Sequence, residues 1–415
     1  MRPRRRGRAD ARVGSRGSTG PSPQGSVITS HGESIPFAQP DVGDAEAEAV
    51  GEAIRSGWLT TGRLTAQFEQ EFAATVGATH AVAVTSATAA LHLALEAAGI
   101  GPGDEVLVPT WTFTASAEVV RYVGAEPVLV DVEPDTLALD LERAVGRVTD
   151  RTRAVIPVHF AGLPMDPVAL SGFARDHGLQ VVEDAAHAFP AGTGDALVGG
   201  GDSTATAFSF YATKTMTTGE GGMLTTHDDA IAARARVMRL HGIDRDVLDR
   251  YTRVGASWQY DVVAPGFKYN LTDMAAAMGR VQLGRAHDMR ARREAISRRY
   301  TEAFADLPLQ LPARAPDGVS HAWHLYSVRL LDAPLDRDGL VDVLGRAGIA
   351  TSVHFIPLHL LSYWRERSGL RAEDFPVATD SFARVVSLPI SSALTDDQVE
   401  RVISTVRGAL TGAGA

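Results

Sequence analysis

One lysine stands in the segment FSFYATKTMTTGEGG, residues 208–222, among small, hydroxyl-bearing and glycine residues. The chain has only one other lysine, Lys268, and otherwise relies on arginine for permanent positive charge. Lys214 has no acidic residue three or four positions away, so it is not half of an ion pair along a helix. Arginine stays protonated, whereas a desolvated lysine can lose its proton and form a Schiff base with a carbonyl. Lys214 is therefore a candidate nucleophile, although chance survival in an arginine-rich chain gives the same pattern.

An acidic residue follows a predicted buried strand upstream of this lysine. The segment LQVVEDAA (179–186) places Asp184 at the end of that strand. Such a carboxylate can cap the next helix. It can equally hold the proton on the ring nitrogen of a pyridoxal cofactor, which needs an acidic partner. His187 lies three residues further on, and we expect it to face the same side.

Two further segments offer groups for a flat, phosphorylated ligand. TSATAAL places Ser86, Ala87 and Thr88 between a strand and a helix start, where free N–H groups and hydroxyls can hold a phosphate. An ordinary helix cap has the same appearance. PTWTFTAS places Trp111 and Phe113 in the loop after the next strand. Either ring can stack on a ligand or pack in the core.

These groups together are what a pyridoxal 5'-phosphate site requires, and competing signatures are missing from the sequence. There is no P-loop and no dinucleotide glycine fingerprint, and GDALVGGGD (194–202) reads as a loop because it does not join a strand to a helix. The sequence contains no H-E-x-x-H motif, and its histidines show no metal spacing, so we expect no metal site.

Composition excludes several classes of protein. The chain has 415 residues, 45% of them hydrophobic, and contains no cysteine, which excludes disulfides and thiolate chemistry. No apolar run is long enough to cross a membrane. The net charge of −10 argues against a broad nucleic-acid surface. We expect a cytoplasmic protein with no membrane or nucleic-acid partner.

Strand and helix patterns alternate from residue 35 onward, which predicts an α/β fold with a mainly parallel central sheet covered by helices. We predict a large α/β domain over residues 34–264 and a smaller α+β domain over 265–415. In the latter, 321–331 and 349–357 are predicted strands. Long helices are predicted over 271–307, and further helices over 336–348 and 395–410. The predicted strands of the large domain span 80–86, 105–109, 126–132, 153–160, 179–186, 203–210 and 221–227.

The first 33 residues have a different composition. They are rich in arginine, glycine, serine and proline and nearly free of large apolar side chains, which predicts a disordered basic tail. The adjacent arginines are not followed by the apolar stretch of a secretion signal.

From about Ile35 to the C-terminus, the chain resembles the DegT/DnrJ/StrS family of pyridoxal-phosphate sugar aminotransferases. The resemblance implies a fold-type I enzyme that is active as a homodimer, with its sites at the subunit interface. The segments that carry it include AVTSATAALHLAL, VPTWTFTASAEVV, VVEDAAHAFPA, FSFYATKTMTTGEGGML, PGFKYNLTDMAAAMGRVQL and SVHFIPLH.

Matched position by position, Lys214 resembles the family's Schiff-base lysine and Asp184 the partner of the pyridine nitrogen. A branch of the family that carries histidine at the lysine position performs dehydration, and Lys214 argues against that branch. Alanine at position 87 departs from a common Ser-Gly-Thr pattern but still presents its N–H. The other matches are His187 near the ring hydroxyl, Ser86, Ala87, Thr88 and Ser209 at the phosphate, Phe113 stacked on the ring, Asn270 reaching the partner subunit's phosphate, and His354 near the substrate sugar.

The resemblance implies transfer of an amino group from a donor such as L-glutamate to a nucleotide-linked 3- or 4-keto sugar. The segments around Asn270 and His354 look closest to the 4-amino sugar branch. A keto-cyclitol of the scyllo-inosose type is an alternative acceptor. A regulatory protein that binds nucleic acid through its basic tail is a second alternative, which salt-sensitive DNA binding would reveal. Lys268 is a candidate phosphate contact or an ordinary interface lysine.

Overall fold

The central sheet is built from apolar runs that lie where the sequence predicts strands. The computed structural model describes residues 34–244 and 259–412, so the predicted tail over residues 1–33 lies outside the described part. The strands that come first in the chain are β1 (His80–Val84), β2 (Glu105–Pro109), β3 (Glu126–Val130), β4 (Thr152–Val155), β5 (Gln180–Asp184), β6 (Gly192–Thr193), β7 (Ala196–Leu197), β8 (Ala205–Ser209) and β9 (Gly222–Thr226).

Seven of these strands form one sheet in the order β1-β9-β8-β5-β4-β2-β3. The pairs β8–β5, β5–β4, β4–β2 and β2–β3 are parallel, whereas β9 runs antiparallel to both of its neighbours. The prediction of a mainly parallel sheet is thus confirmed. The segment 194–202, predicted as a loop, contains the two-residue strand β7, which pairs with β6 in a hairpin.

Helices connect the strands and cover the sheet. They are α1 (Asp44–Arg55), α2 (Arg63–Val76), α3 (Ala87–Ala97), α4 (Ala115–Tyr122), α5 (Leu141–Val145), α6 (Pro167–His177), α7 (Asp229–Met238), α8 (Asp273–Phe304), α9 (Arg337–Arg346), α10 (Ser362–Ser368), α11 (Pro376–Arg384) and α12 (Asp396–Thr411). Several begin at a side-chain cap, as sequence rules require. Asp166 accepts from two N–H groups at the start of α6, and Thr272 caps α8 by accepting from the N–H of Ala275.

Alternation along β1 assigns its side chains to two different cores. Val82 and Val84 pack in the cluster that contains Leu91 and Leu93 of α3. Ala81 and Ala83 pack in the opposite cluster, with Phe68 and Phe72 of α2 and Phe208 and Phe210 around the end of β8. A strand buried on both faces reads as a continuous apolar run, which is why the sequence identified it.

A second, antiparallel sheet follows α8. The strands β10 (Leu309–Gln310), β12 (Tyr326–Leu330) and β13 (Val385–Leu388) form it, while β11 (Val319–Ser320) pairs with β6. It shares a separate core with the second half of α8, with α9 and with α12, and Ile35 is buried in that core. The described residues from Ser34 onward form one compact unit. The division after residue 264 stays a prediction.

One predicted strand is wrong. Residues 349–357 make only isolated bridges, Ile349 with Ile35 and Ser352 with Ser387. The segment turns toward the end of the large sheet instead of extending the small one. None of the helices within residues 34–244 and 259–412 is both long and apolar enough to cross a bilayer.

Candidate active site

A cavity of about 510 Å³ lies at the carboxyl ends of the strands of the large sheet, where open α/β sheets bind ligands. Loops that follow β1, β2, β5 and β8 border it, together with two segments from the C-terminal part of the chain. Nine of the ten site residues predicted from the sequence line this cavity: Ser86, Ala87, Thr88, Phe113, Asp184, His187, Ser209, Lys214 and His354. A larger cleft of about 850 Å³ between α1, α2 and α8 contains none of them.

One wall of the cavity is the start of α3. Ser86 caps this helix, since its Oγ accepts from the N–H of Ala89 at 3.1 Å. The first N–H groups of a helix have no acceptor within it, so those of Ala87 and Thr88 are available to an anion. Gly222 on β9 passes close behind. A methyl group there would lie 2.4 Å from the Ser86 carbonyl carbon and 2.7 Å from the Ala87 nitrogen.

Asp184 ends β5 and is held in one orientation. Its Oδ2 accepts from the Ser116 hydroxyl at 2.7 Å, and its Oδ1 accepts from the N–H of Ala186 at 3.1 Å. The Ser116 hydroxyl also lies 2.8 Å from that of Thr112. Both carboxylate oxygens are thus oriented, one by the first turn of α4 and the other by the loop after β5, as a hydrogen-bond acceptor at a ring nitrogen requires.

Lys214 lies in a turn in which its N–H donates to the carbonyl of Tyr211 at 2.9 Å. Its Nζ is 3.4 Å from Nε2 of His324. Burial lowers the pKa of Lys214 from 10.5 to about 8, the Asp184 carboxylate opposes this shift, and the charge of Arg293 adds to it. The amine therefore has a free-base fraction of roughly a tenth at neutral pH, far more than an exposed lysine has.

Three histidines surround the amine, and sequence reasoning found only two of them. Burial lowers the pKa of His187 and His324 well below the ordinary value, and nearby positive charge, including that of Lys214, adds to this effect. Burial likewise lowers the pKa of His354 to about 4. All three rings are thus neutral at physiological pH. The missed residue, His324, lies two residues before β12 in a segment that we predicted to be regular strand.

The buried polar atoms fit a ring with hydrogen-bonding groups. Nδ1 of His187 and Nδ1 of His324 are both buried without a hydrogen-bond partner, and their rings lie 4.2 Å apart. Such orphan atoms are rare in folded proteins unless a ligand or water satisfies them. An amine, a fixed carboxylate and a helix start around one cavity match the aldehyde, ring nitrogen and phosphate of pyridoxal phosphate.

The structure distinguishes between the two aromatic candidates, Phe113 and Trp111. Phe113 is 60% exposed and lines the cavity. Trp111 is fully buried and packs edge-on against Phe160, with ring centroids 6.1 Å apart. Phe113 is thus the ring that a bound ligand can reach, and Trp111 belongs to the core.

Asn270 is the one predicted site residue that does not line the cavity of its own chain. Its Nδ2 donates to the Thr61 hydroxyl at 2.7 Å, and its Oδ1 accepts from the ammonium group of Lys268. Its predicted contact was with the cofactor phosphate of a partner subunit, and that role stays a prediction.

Residues 40–407 match the model of the DegT/DnrJ/EryC1/StrS aminotransferase family. The chain belongs to this family. It is therefore a pyridoxal-phosphate-dependent aminotransferase, and the cofactor and enzyme class inferred from the sequence are confirmed.

Individual family members are similar over their whole length. The spore coat polysaccharide biosynthesis protein SpsC of Bacillus subtilis is 45% identical over 383 residues, covering 91% of this chain and 98% of that protein. The structure of DesV from S. venezuelae is 36% identical with a TM-score of 0.81, covering 91% and 98% of the two chains. The PLP-form of Spr1654 from Streptococcus pneumoniae is 33% identical with a TM-score of 0.84, covering 92% and 100%.

Bound pyridoxal phosphate supplies an aldehyde that condenses with amines and a ring that takes up electrons from the adjacent carbon. The residues of this chain supply the rest. Lys214 offers an amine that can attack a carbonyl and carry a proton, Asp184 a carboxylate that can accept from a ring N–H, and the start of α3 N–H groups that can bind an anion. Within residues 34–244 and 259–412, no group of three metal-ligating side chains is arranged to hold an ion.

Proposed function

We propose that this aminotransferase moves the amino group of L-glutamate to a nucleotide-linked keto sugar and so makes an amino sugar for glycan, lipid or natural-product synthesis. The observation that carries the proposal is the convergence of Lys214, Asp184 and the α3 helix start on one cavity. The similarity to a spore coat polysaccharide biosynthesis protein supports a sugar acceptor. A cytoplasmic location is part of the same proposal.

In this proposal Lys214 carries the proton between the donor carbon and the cofactor carbon that receives the amino group. A positioned general acid–base group contributes about 10²–10⁴-fold to such a step. Asp184 holds the proton on the ring nitrogen, which its two fixed oxygens favour. The N–H groups of Ala87 and Thr88, with the hydroxyls of Ser86 and Ser209, hold the phosphate.

His354 is the proposed contact with the sugar. Its Nδ1 lies 3.0 Å from the Ser387 hydroxyl, and its ring stacks on Phe37 at 5.2 Å. This support fixes the ring at the cavity wall and leaves Nε2 to meet a substrate hydroxyl. Because the ring is neutral at physiological pH, it can accept or donate a hydrogen bond without adding charge.

We also propose that the active form is a homodimer in which Asn270 reaches the phosphate of the partner's cofactor. Support comes from the family resemblance of this segment and from the position of Asn270 outside its own cavity. Lys268 bonds to the same amide and lies beside it at the surface.

The acceptor class is tested with the pyridoxamine form of the protein, which contains one amino group to give. Nucleotide-linked 3- and 4-keto sugars and scyllo-inosose are each added, and the return of the pyridoxal absorption band is followed together with the product mass. We expect return with a nucleotide-linked keto sugar. Return with scyllo-inosose alone, or with none of these ketones, contradicts the proposal.

A variant of His354 distinguishes binding of the keto sugar from the reaction with the amino donor. His354→Ala should raise the KM for the keto sugar while leaving the reaction with glutamate near its original rate. An equal loss in both half-reactions would contradict the assignment of His354 to the sugar.

A further inference from the structure

Arg293, on the long helix α8, is a buried cation that pairs with backbone oxygen atoms. The residue is 2% exposed. Its Nη1 donates to the carbonyls of Ile390 at 2.9 Å, Trp323 at 3.3 Å and His324 at 3.5 Å. Buried arginines usually meet a carboxylate, because an unpaired buried charge is unfavourable. A guanidinium kept in such a place needs another explanation.

The anion that acts on Arg293 is already engaged. Asp41 raises the pKa of Arg293, but its Oδ1 accepts from Arg285 at 2.7 Å. Nε of Arg293 is buried without a hydrogen-bond partner. Burial lowers the pKa of Arg293 to about 10, which still leaves the group positively charged at neutral pH.

The segment that Arg293 holds has a strained backbone. Trp323 has φ +50°, a left-handed conformation that a bulky side chain rarely adopts. Its N–H donates to Nδ1 of His321 at 2.8 Å, and the two rings stack 3.9 Å apart. Strain of this kind persists only where the surroundings impose it. Here His321 accepts from the N–H of Trp323 and Arg293 donates to its carbonyl, so contacts on both sides of the residue impose the conformation.

The residue that follows the strained Trp323 lies beside the amine of Lys214. The next residue, His324, places its Nε2 3.4 Å from Nζ of Lys214. We propose that Arg293 is a positioning residue of this enzyme: it fixes the Trp323–His324 segment against Lys214, and its buried charge disfavours the protonated form of that amine. The proposal rests on the proposed role of Lys214 as the reacting amine.

The electrostatic part is supported by the effects on the neighbouring groups. Burial lowers the pKa of Lys214 most, and the Arg293 charge lowers it further. The same charge lowers the pKa of His324. The other groups that interact with the charge of Lys214 are one carboxylate, which favours its protonated form, and three histidines, which are neutral: Asp184, His187, His324 and His354. Glu220 and Tyr211 line the same cavity.

The chain offers a matched control in Arg329 on β12. This arginine is 5% exposed, and burial lowers its pKa to about 10 as well. It donates to the Ser381 hydroxyl at 2.9 Å and to the Asp135 carbonyl at 3.4 Å. It does not line the cavity, and its charge is not among those that act on Lys214. Loss of Arg329 therefore reports the general effect of removing a buried arginine.

The test measures the titration of Lys214 in the full-length protein freed of cofactor. Trace acetylation is followed against pH by mass spectrometry, and the exposed Lys268 is an internal reference because the chain has only these two lysines. We expect a midpoint near 8 for the wild type and a midpoint at higher pH for Arg293→Gln. A midpoint that lies one pH unit higher reduces acetylation at pH 7 about tenfold.

Two further variants separate charge from structure. Arg293→Lys keeps the charge and should restore a midpoint near that of the wild type, whereas Arg329→Gln should not move it. An unshifted midpoint in Arg293→Gln, or an equal shift in Arg329→Gln, overturns the proposal. If Arg293→Gln fails to fold, Arg293→Lys decides alone: a midpoint at the ordinary lysine value there would contradict it.

This experiment is independent of turnover. A chain that labels as expected but transfers no amino group to any keto sugar would refute the proposed acceptor and leave the role of Arg293 intact. A chain that transfers amino groups with an unchanged titration in Arg293→Gln would do the opposite.

Discussion

Lys214 combines burial, access to the cavity and a carboxylate close enough to act on its charge. Desolvation disfavours the ammonium form, and Asp184 favours it, so the two effects oppose each other. Burial prevails and gives a pKa of about 8. An amine that is free at a useful fraction near neutral pH can attack a carbonyl and can carry a proton. An arginine at this position can do neither.

Lys214→Arg should abolish amino transfer while the protein stays folded, because guanidinium keeps its charge but cannot form the covalent link. The loss should exceed the roughly 10²–10⁴-fold that acid–base catalysis alone supplies. Single-turnover assays with glutamate measure it, and circular dichroism checks the fold. Lys268→Arg, the same change at the exposed lysine, should keep the half-reaction. Turnover of Lys214→Arg near the wild-type rate would refute the assignment.

Reconstitution of the cofactor-free protein should accelerate as the pH rises through about 8. The pKa of Lys214 is lowered in the folded protein, so the amine is protonated and unreactive below that value and free above it. The rate of return of the pyridoxal absorption band after mixing with pyridoxal phosphate gives the profile. A rate that stays flat from one pH unit below this pKa to one unit above it is incompatible with an amine that titrates in this range.

At the scale of elements, the site is assembled where strands of one sheet end. The sequence identified these ends well, since buried strands are continuous apolar runs and each is followed by a hydroxyl, carboxylate or aromatic residue. Asp184 and Ser86 were found in this way, whereas Ser209 came only from the family resemblance. His324 and Arg293 were missed because their positions depend on a left-handed turn at Trp323 and on contacts between distant segments. Neither feature has a local sequence signature.

The close approach of β9 to the start of α3 makes a specific prediction. Gly222→Ala should weaken pyridoxal phosphate binding by about tenfold or more, because the added methyl would overlap the Ser86 carbonyl and displace the phosphate cradle. Equilibrium titration of the cofactor measures the loss. Gly201→Ala adds a methyl that meets nothing within 4 Å and should bind normally. Equal affinities for the two variants would show that the cradle tolerates the displacement.

At the scale of the whole molecule, every predicted site residue except Asn270 lines one cavity of the described chain. The long helix α8 begins three residues after it and carries Arg293 at a later turn. The same helix thus begins close to Asn270 and carries Arg293, the residue proposed to position the segment against the Lys214 amine.

A mixture of two defective chains tests whether Asn270 acts on the partner's site. Lys214→Arg and Asn270→Ala chains are coexpressed with different tags, and the mixed species is purified. If Asn270 acts across the interface, each mixed dimer contains one site with both native residues, and activity returns. If it acts within its own chain, the mixed species is no more active than the Asn270→Ala parent. A monomeric protein would contradict the homodimer outright.

The measurement that tests the central claim most directly is the absorption spectrum of the purified protein before and after glutamate is added. We predict a yellow protein whose visible band fades as a near-ultraviolet pyridoxamine band appears, and a Lys214→Arg variant that shows no such conversion. A wild-type protein that binds no pyridoxal phosphate, or whose band glutamate leaves unchanged, would contradict a glutamate-dependent aminotransferase built on Lys214.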